Sequence, residues 1–573
     1  MASTLVPASK SLAGEKPLDC SLVPNDPPMI STLSAAVRRI VSDRPRHGRA
    51  VPAVLAIVVS VALVVGPLPT GQPATAQDHD VELRVLGADP LTWDPAAAGD
   101  ATSAAVIAQV FEGLTALDAQ SRVQPALASE WDVQEDGRRI VFTIRPGVLY
   151  SDGTPVQPQD VVDSWFRLLD PQRPSPLVGL LSDVEGATGY ADGSVTREQV
   201  GLRADGDTVT VDFRRPATYF LAVTASPSLA VVPPAIQSAG LGAELPAGLV
   251  VSGAYVPVSQ GESAIRLEAN GNYWAGPPPL SVIEIVTDIG GRSPVSAFEN
   301  DEVDYTAVGS FDASWIRYHN GLGPQLRQTE SFSTHYYGFD TATAPFDDVR
   351  VRLAFAQAVD WDRIVTLATE GEPALSLVPP AIPGRGDQDY RPAHDPDAAR
   401  RLLAEAGFPD GAGFPEVALV SFGYGYEVTV ASELESVLGV EVPVEIMDFS
   451  DYIARIGEVE RPHIWTLSWI ADYPHAHDFL GLLLETGSPS NVGRWSNSEY
   501  DAAIEAAAAT NDPDEQAAHY ALAQDILRRE APIVPVEYGE SWALSRNGLL
   551  GALESGVGMI RFAGLDWAPG AGP

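Results

Sequence analysis

The sequence predicts a mixed α/β protein, and three observations predict it. Strand and helix signals alternate along the chain, the strand runs show period-two patterning, and the helices carry recognisable caps. Arg139 to Arg145 (RIVFTIR), Asp207 to Arg214 (DTVTVDFR) and Ser281 to Asp288 (SVIEIVTD) alternate apolar and polar residues, as half-buried strands do. Helices are expected over Pro158 to Leu169 and over Val349 to Ala368. Asp395-Pro396 offers an N-cap followed by a proline at the first helical position. Ala399, Leu402, Leu403 and Ala406 then recur at helical spacing, and Gly407 supplies the stop. Asp512-Pro513-Asp514-Glu515 repeats the device with a capping-box glutamate; Leu522 and Ile526 line one face, and Pro532 ends the helix.

With 573 residues the chain exceeds what one core usually serves, so two or three domains are expected. Its 48 prolines and 50 glycines imply many turns and fall short of a low-complexity signature. No internal repeat is visible.

Residues 1 to 37 show no periodicity and are set aside. Beyond them, Arg38, Arg39, Arg44, Arg46 and Arg49 precede an apolar run from Ala53 to Val65, followed by Pro67, Pro69, Gly71 and the small-residue site Ala74-Thr75-Ala76. That order is an export signal, and the run is short for a membrane span. Cleavage after Ala76 is expected, with an uncleaved N-terminal anchor as the alternative; either way the protein works outside the cytoplasm, at the cell envelope. Cys20, the sole cysteine, precedes the apolar run and cannot be a lipid-modified cysteine following it. The mature chain therefore has no disulfide or thiol chemistry.

The first 76 residues hold seven basic and four acidic residues, which leaves 29 basic and 72 acidic residues beyond them, a net of −43. Phosphate backbones need a positive surface, so nucleic acid is excluded as a partner. Cationic ligands are favoured at long range instead.

One segment carries specific chemistry. Residues 465 to 480 read WTLSWIADYPHAHDFL, placing Asp472 among Trp465, Trp469 and Tyr473, with no basic residue between Arg461 and Arg494. Aromatic faces attract cations, and a desolvated carboxylate accepts strong charge-assisted hydrogen bonds, so this is a place to hold an ammonium group. The plain alternative is an acidic loop residue beside core tryptophans. His475 and His477, with Asp478, could contribute to a metal site, but no further His or Cys cluster completes a set, so neither metal nor cofactor is expected. There is no Gly-x-Ser-x-Gly elbow, phosphate-binding glycine loop or His-Glu-x-x-His, which argues against an enzyme.

Read in order, further motifs carry a resemblance. They are LTWDP (91–95) with VFEGL (110–114), PALASEW (125–131), FTIRPGVLYSDG (142–153), DVVDSWFRLLDP (160–171), Gly253-Ala254-Tyr255, NGNYW (270–274), APFDDVRVRL (344–353), LLAEAGFPDG (402–411) and APIVPV (531–536). Together they cover essentially all of 80 to 560, and the chain resembles the oligopeptide- and dipeptide-binding proteins of ABC importers, family 5 of the extracellular solute-binding proteins. The resemblance implies a two-lobed periplasmic-binding-protein type II fold with an additional domain inserted in the first lobe. It divides the chain into an N-terminal extension (1–76), lobe I (77–114, 218–306 and 537–573), inserted domain II (115–217) and lobe III (307–536).

It further implies a monomeric receptor that closes over a short peptide with a free α-amino group and delivers it to the permease and ATPase subunits of the importer. Asp472 stands where related receptors place the carboxylate that pairs with that amino group. Trp469 matches the tryptophan before it, and Ser468 to Ile470 match a stretch whose backbone pairs with the peptide's own, a strand addition that tolerates many side chains. Tyr473 belongs to the same segment. Phe449 resembles a pocket-lining aromatic, Ser103-Ala104 the facing edge in the first lobe, and Tyr336 and Tyr337 wall residues that would otherwise be core. Thr466 stands where some relatives have an arginine for the peptide's carboxyl end; Arg455 is the remaining candidate, against a solvated helix-face arginine. The alternative functions are a sensor of extracellular signal peptides, a receptor for another cationic solute or metal chelate and, less favoured, a peptide hydrolase.

Overall fold

The computed structural model describes residues 82–573, apart from 119, 238–239, 369–370, 387, 459–460, 552–555 and 573. The export-signal or anchor assignment and Cys20 lie outside the described residues. Among the described residues no helix is long and apolar enough to cross a membrane.

A long mixed sheet runs through the molecule. Its strands follow the spatial order Val444–Ile446, Leu419–Ser421, Ile464–Ile470, Leu326–Phe339, Ile533–Ser545, Tyr305–Val308, Leu83–Leu86, Val282–Val286, Ala264–Ala269 and Tyr255–Gln260. Two of them are far longer than the rest. Leu326–Phe339 and Ile533–Ser545 pair antiparallel from Leu326↔Leu544 to Gly338↔Ile533, with register irregularities between Glu330 and Thr334 and between His335 and Tyr336. The sheet path therefore passes from one half of the molecule to the other through this pair of strands. A break in register there leaves fewer ladder bonds to resist bending.

A separate four-stranded antiparallel sheet has the order Ala128–Gln134, Arg139–Ile144, Thr208–Asp212 and Leu202–Asp205. Its expected alternation is present: Ile140, Phe142 and Ile144 are buried and their neighbours half-buried. The Pro158–Leu168 helix, which contacts this sheet, is one residue shorter than expected, and its first turn is tied by the Asp160 carboxylate accepting the Gln157 N–H at 2.9 Å.

Two helix expectations need correction. Val349 to Ala368 is two helices, Val349–Ala358 and Trp361–Ala368. Val359 is extended, the Asp360 N–H donates to the Glu433 carboxylate at 2.8 Å, and Asp360 caps the second helix by accepting the Arg363 N–H at 3.1 Å. In the Pro513–Glu530 helix, Ile526 is buried but Leu522 is 41% exposed; Tyr520, Ala523 and Leu527 complete the inward face. Asp512 caps that helix as expected, whereas the Glu515 carboxylate accepts the Thr510 hydroxyl rather than closing a capping box. The Pro396–Glu405 helix starts on Asp395, which accepts the Ala398 N–H at 2.8 Å.

Candidate functional site

The site grows out of the Ile464–Ile470 strand, which leaves the core as it runs. Ile464, Trp465 and Thr466 are buried, Leu467, Ser468 and Trp469 half-buried, and Ile470 is 55% exposed. On one side it pairs antiparallel with Leu326–Phe339, from Phe339↔Ile464 to Ser333↔Ile470. On the other it pairs with Leu419–Ser421 only at Leu419↔Ile464 and Val420↔Trp465. Past Trp465 this edge meets no strand among the described residues. Tyr452 Oη caps the Thr466 carbonyl, and the Ala471 N–H turns back to the Phe332 carbonyl at 2.8 Å, which delivers Asp472 to the strand's exposed end.

Aromatic side chains flank the unpaired edge. The Tyr424 and Ser468 hydroxyls are 2.8 Å apart, and Phe422 touches Tyr424, Phe449 and Tyr452 at centroid distances of 4.9, 5.1 and 5.2 Å. The loop bearing Phe422 and Tyr424 is held by Glu427, whose carboxylate accepts the Ser421 hydroxyl and the Tyr424 and Gly425 N–H groups. Phe449, at the start of the Phe449–Ile456 helix, is 49% exposed.

Asp472 is exposed, yet desolvation by surrounding protein lifts its carboxyl above the usual aspartate range. The carboxylate lies at the surface beside partly enclosing protein and not in the core. Behind it stands a second acid that the sequence offered only as a weak metal-ligand candidate beside His475 and His477. Asp478, in the first turn of the Ala476–Leu484 helix, is completely buried. It accepts the Trp469 Nε1–H at 2.6 Å, and both its oxygens lie 3.3 Å from the Asp472 N–H. Burial, reinforced by the charge of Asp472, pushes its pKa well above the ordinary range. The available signal was an acid in a first helical turn shortly after Asp472; its burial could not be read from spacing.

Most of the other expected site residues have partners within the fold. Tyr473 is buried, with Oη 2.9 Å from His477 Nδ1 and its ring stacked 5.9 Å from Tyr219. Tyr336 and Tyr337, each 2% exposed, are core residues on opposite faces of a covered sheet: Tyr336 lies edge-on to Trp465 at 5.6 Å, Tyr337 against Trp361 at 5.0 Å. Ser103 is fully buried, its hydroxyl accepting the Leu91 and Thr92 N–H groups at 3.0 and 3.3 Å, while Ala104 beside it is half-buried. Arg455 forms an ion pair with Glu458 at 3.1 Å. The histidines are engaged within the fold. His475 Nδ1 accepts the His477 N–H at 3.2 Å, and the His477 ring stacks on Tyr219 at 3.6 Å. Burial lowers the pKa of both, that of His475 to about 4. Among the described residues no group of three His, Cys, Asp or Glu side chains is placed to hold a metal ion.

Residues 122–491 match the family described as bacterial extracellular solute-binding proteins, family 5 Middle. Over 472 residues the chain is 29% identical to a probable deoxycholate-binding periplasmic protein of Escherichia coli (strain K12), covering 78% of this chain and 86% of that protein. Over 500 residues it is 26% identical to the oligopeptide-binding protein of Bacillus subtilis (strain 168), covering 83% and 90% of the two chains. The fold superimposes on an unliganded open form of a periplasmic murein tripeptide-binding protein with a TM-score of 0.75 at 25% identity, covering 86% of this chain and 98% of that one. A second structure, of the Escherichia coli murein tripeptide-binding protein, gives 0.63 at 26% identity, covering 84% and 97%. The fold is thus the two-lobed type II periplasmic-binding architecture, and the chain belongs to family 5 of the bacterial extracellular solute-binding proteins.

Proposed function

We infer that this protein captures short peptides with a free α-amino group outside the cytoplasm and passes them to the permease and ATPase subunits of an ABC importer, acting as a receptor and not as an enzyme. The observation that carries this reading is the strand edge at Leu467–Ile470, which among the described residues meets no other strand on its second side and ends in an exposed carboxylate. An extended peptide adds to such an edge through main-chain hydrogen bonds common to every sequence, and its ammonium group meets Asp472. The oligopeptide-binding relative of Bacillus subtilis and the murein tripeptide-binding neighbours support the same ligand class. Deoxycholate, the ligand in the name of the Escherichia coli relative, is an anion, and an acidic wall opposes it.

Closure brings lobe I (77–114, 218–306 and 537–573), with domain II (115–217) inserted in it, over lobe III (307–536). The two long strands with broken register are where that motion is absorbed. The test is to release what the purified protein carries from its expression host and identify it by mass spectrometry. Linear peptides with unmodified amino ends, uncut after prolonged incubation, are expected. Recovery of bile acids or of progressively shortened peptides overturns the reading.

A further inference from the structure

We propose that Asp478 is a positioning residue for ligand recognition: through the indole N–H of Trp469 and the backbone N–H of Asp472 it fixes how the Asp472 carboxylate is presented to an ammonium group. This rests on the peptide-receptor reading above and assigns a role that reading does not contain.

The geometry is costly unless it serves something. Asp478 has no solvent exposure, and among the described residues no guanidinium pairs with it. Arg215, across the contact with the inserted segment, is held by Asp183 at 2.9 Å and by Glu485 at 2.6 Å. The titratable groups that act on it are the Asp472 carboxylate, whose charge raises it further, and the buried Tyr473 phenol, which itself neighbours Tyr219 and Tyr520; His475 and His477, close by in the chain, are kept neutral by burial. Burying an acid without a counter-charge destabilises a fold. What Asp478 gains in return is hydrogen bonds from the Trp469 indole N–H and from the backbone N–H groups of Asp472 and Tyr473, all in the recognition segment. The first fixes the ring orientation of Trp469. The backbone bonds pin the turn that carries Asp472, so the carboxylate need not be ordered when ligand arrives.

The two roles predict opposite signs. A residue kept for stability alone lowers stability when replaced. Asp478→Asn is expected to do otherwise, because it removes an acid whose folded-state pKa is raised. Between the unfolded value of about 4 and the raised folded value, the folded state holds the extra proton, so wild-type stability falls as pH rises through that window. The variant lacks this loss, and its stability relative to wild type should improve from pH 4.5 to pH 8 in urea unfolding.

The recognition test uses a pool of random tetrapeptides and the same pool after N-acetylation, with retention by the full chain measured in equilibrium dialysis. Asp478→Asn should lower the preference for the free-amine pool about tenfold, the equivalent of one hydrogen bond to a charged group. Retention of the acetylated pool should be unchanged. Trp469→Phe, which removes only the indole donor, should give part of the same fall, and serves alone should Asp478→Asn fail to fold. If Asp472→Ala abolishes the preference while both variants retain it, or if they weaken both pools equally, positioning by Asp478 is overturned and the receptor reading stands. If Asp472→Ala also leaves the preference intact, the amine site and its positioning residue fall together.

Discussion

Replacing Asp472 by alanine is expected to weaken binding of free-amine peptides by about 2 to 5 kcal/mol, the usual cost of removing one partner from an enclosed charge pair. Asp472 is exposed, and surrounding protein desolvates it only in part before ligand arrives. The loss appears because closure excludes water and leaves the ligand's ammonium group desolvated without a partner. Titration calorimetry measures it directly. N-acetylation of the ligand should cost wild type a comparable amount and cost Asp472→Ala almost nothing more, because the two changes remove opposite ends of one interaction. Acid should reproduce the loss. Only the ionised carboxylate holds an ammonium group, and desolvation raises the Asp472 pKa. Affinity for free-amine peptides should therefore begin to fall at a higher pH than the ordinary aspartate range near 4, with the acetylated ligand showing no matching fall.

What the sequence revealed was what local chemistry controls. Asp395-Pro396 and Asp512-Pro513 start helices because a cap acts within one turn of its own chain. The break at Val359–Asp360 was only partly legible: Asp360 caps the second helix within its own turn, but Glu433, which accepts the Asp360 N–H, lies 73 residues away. Asp472 could be found from its aromatic company, since the chemistry it offers is written in adjacent residues. Its supporting acid could not, because the importance of Asp478 comes entirely from burial and from an indole that folds back onto it. Tyr336 and Tyr337, read as wall residues or core, were ambiguous for a related reason. Adjacent strand residues point to opposite faces, and one of them ordinarily faces out; this strand is covered on both sides, so both are core. Leu522 fits a helical face by spacing, yet the neighbours of Tyr520 decide which face is covered.

Trp465→Ala is expected to cost about 3 to 5 kcal/mol of folding stability, measured by urea unfolding, while leaving the preference for free amines unchanged in whatever protein remains folded. Trp465 and Trp469 lie on the same side of one strand, four residues apart, and do different things. Trp469 reaches the recognition segment. Trp465 is 2% exposed, packs edge-on against Tyr336, and sits directly opposite Gly338 across the strand pair. A Cβ at Gly338 would lie 2.2 Å from the indole ring, so the glycine is the space the tryptophan fills. Gly338→Ala should therefore destabilise as well, by about 1 to 3 kcal/mol, because a rigid ring cannot step aside within a packed core. Combining it with Trp465→Ala should restore much of what the alanine at 338 costs alone, since the clash disappears with the ring. The pair separates structure from recognition within a single strand: substitutions at its buried end act on unfolding, and those at its exposed end act on the ligand. A loss of amine preference in Trp465→Ala would show that the strand does not hold its recognition end independently of its core.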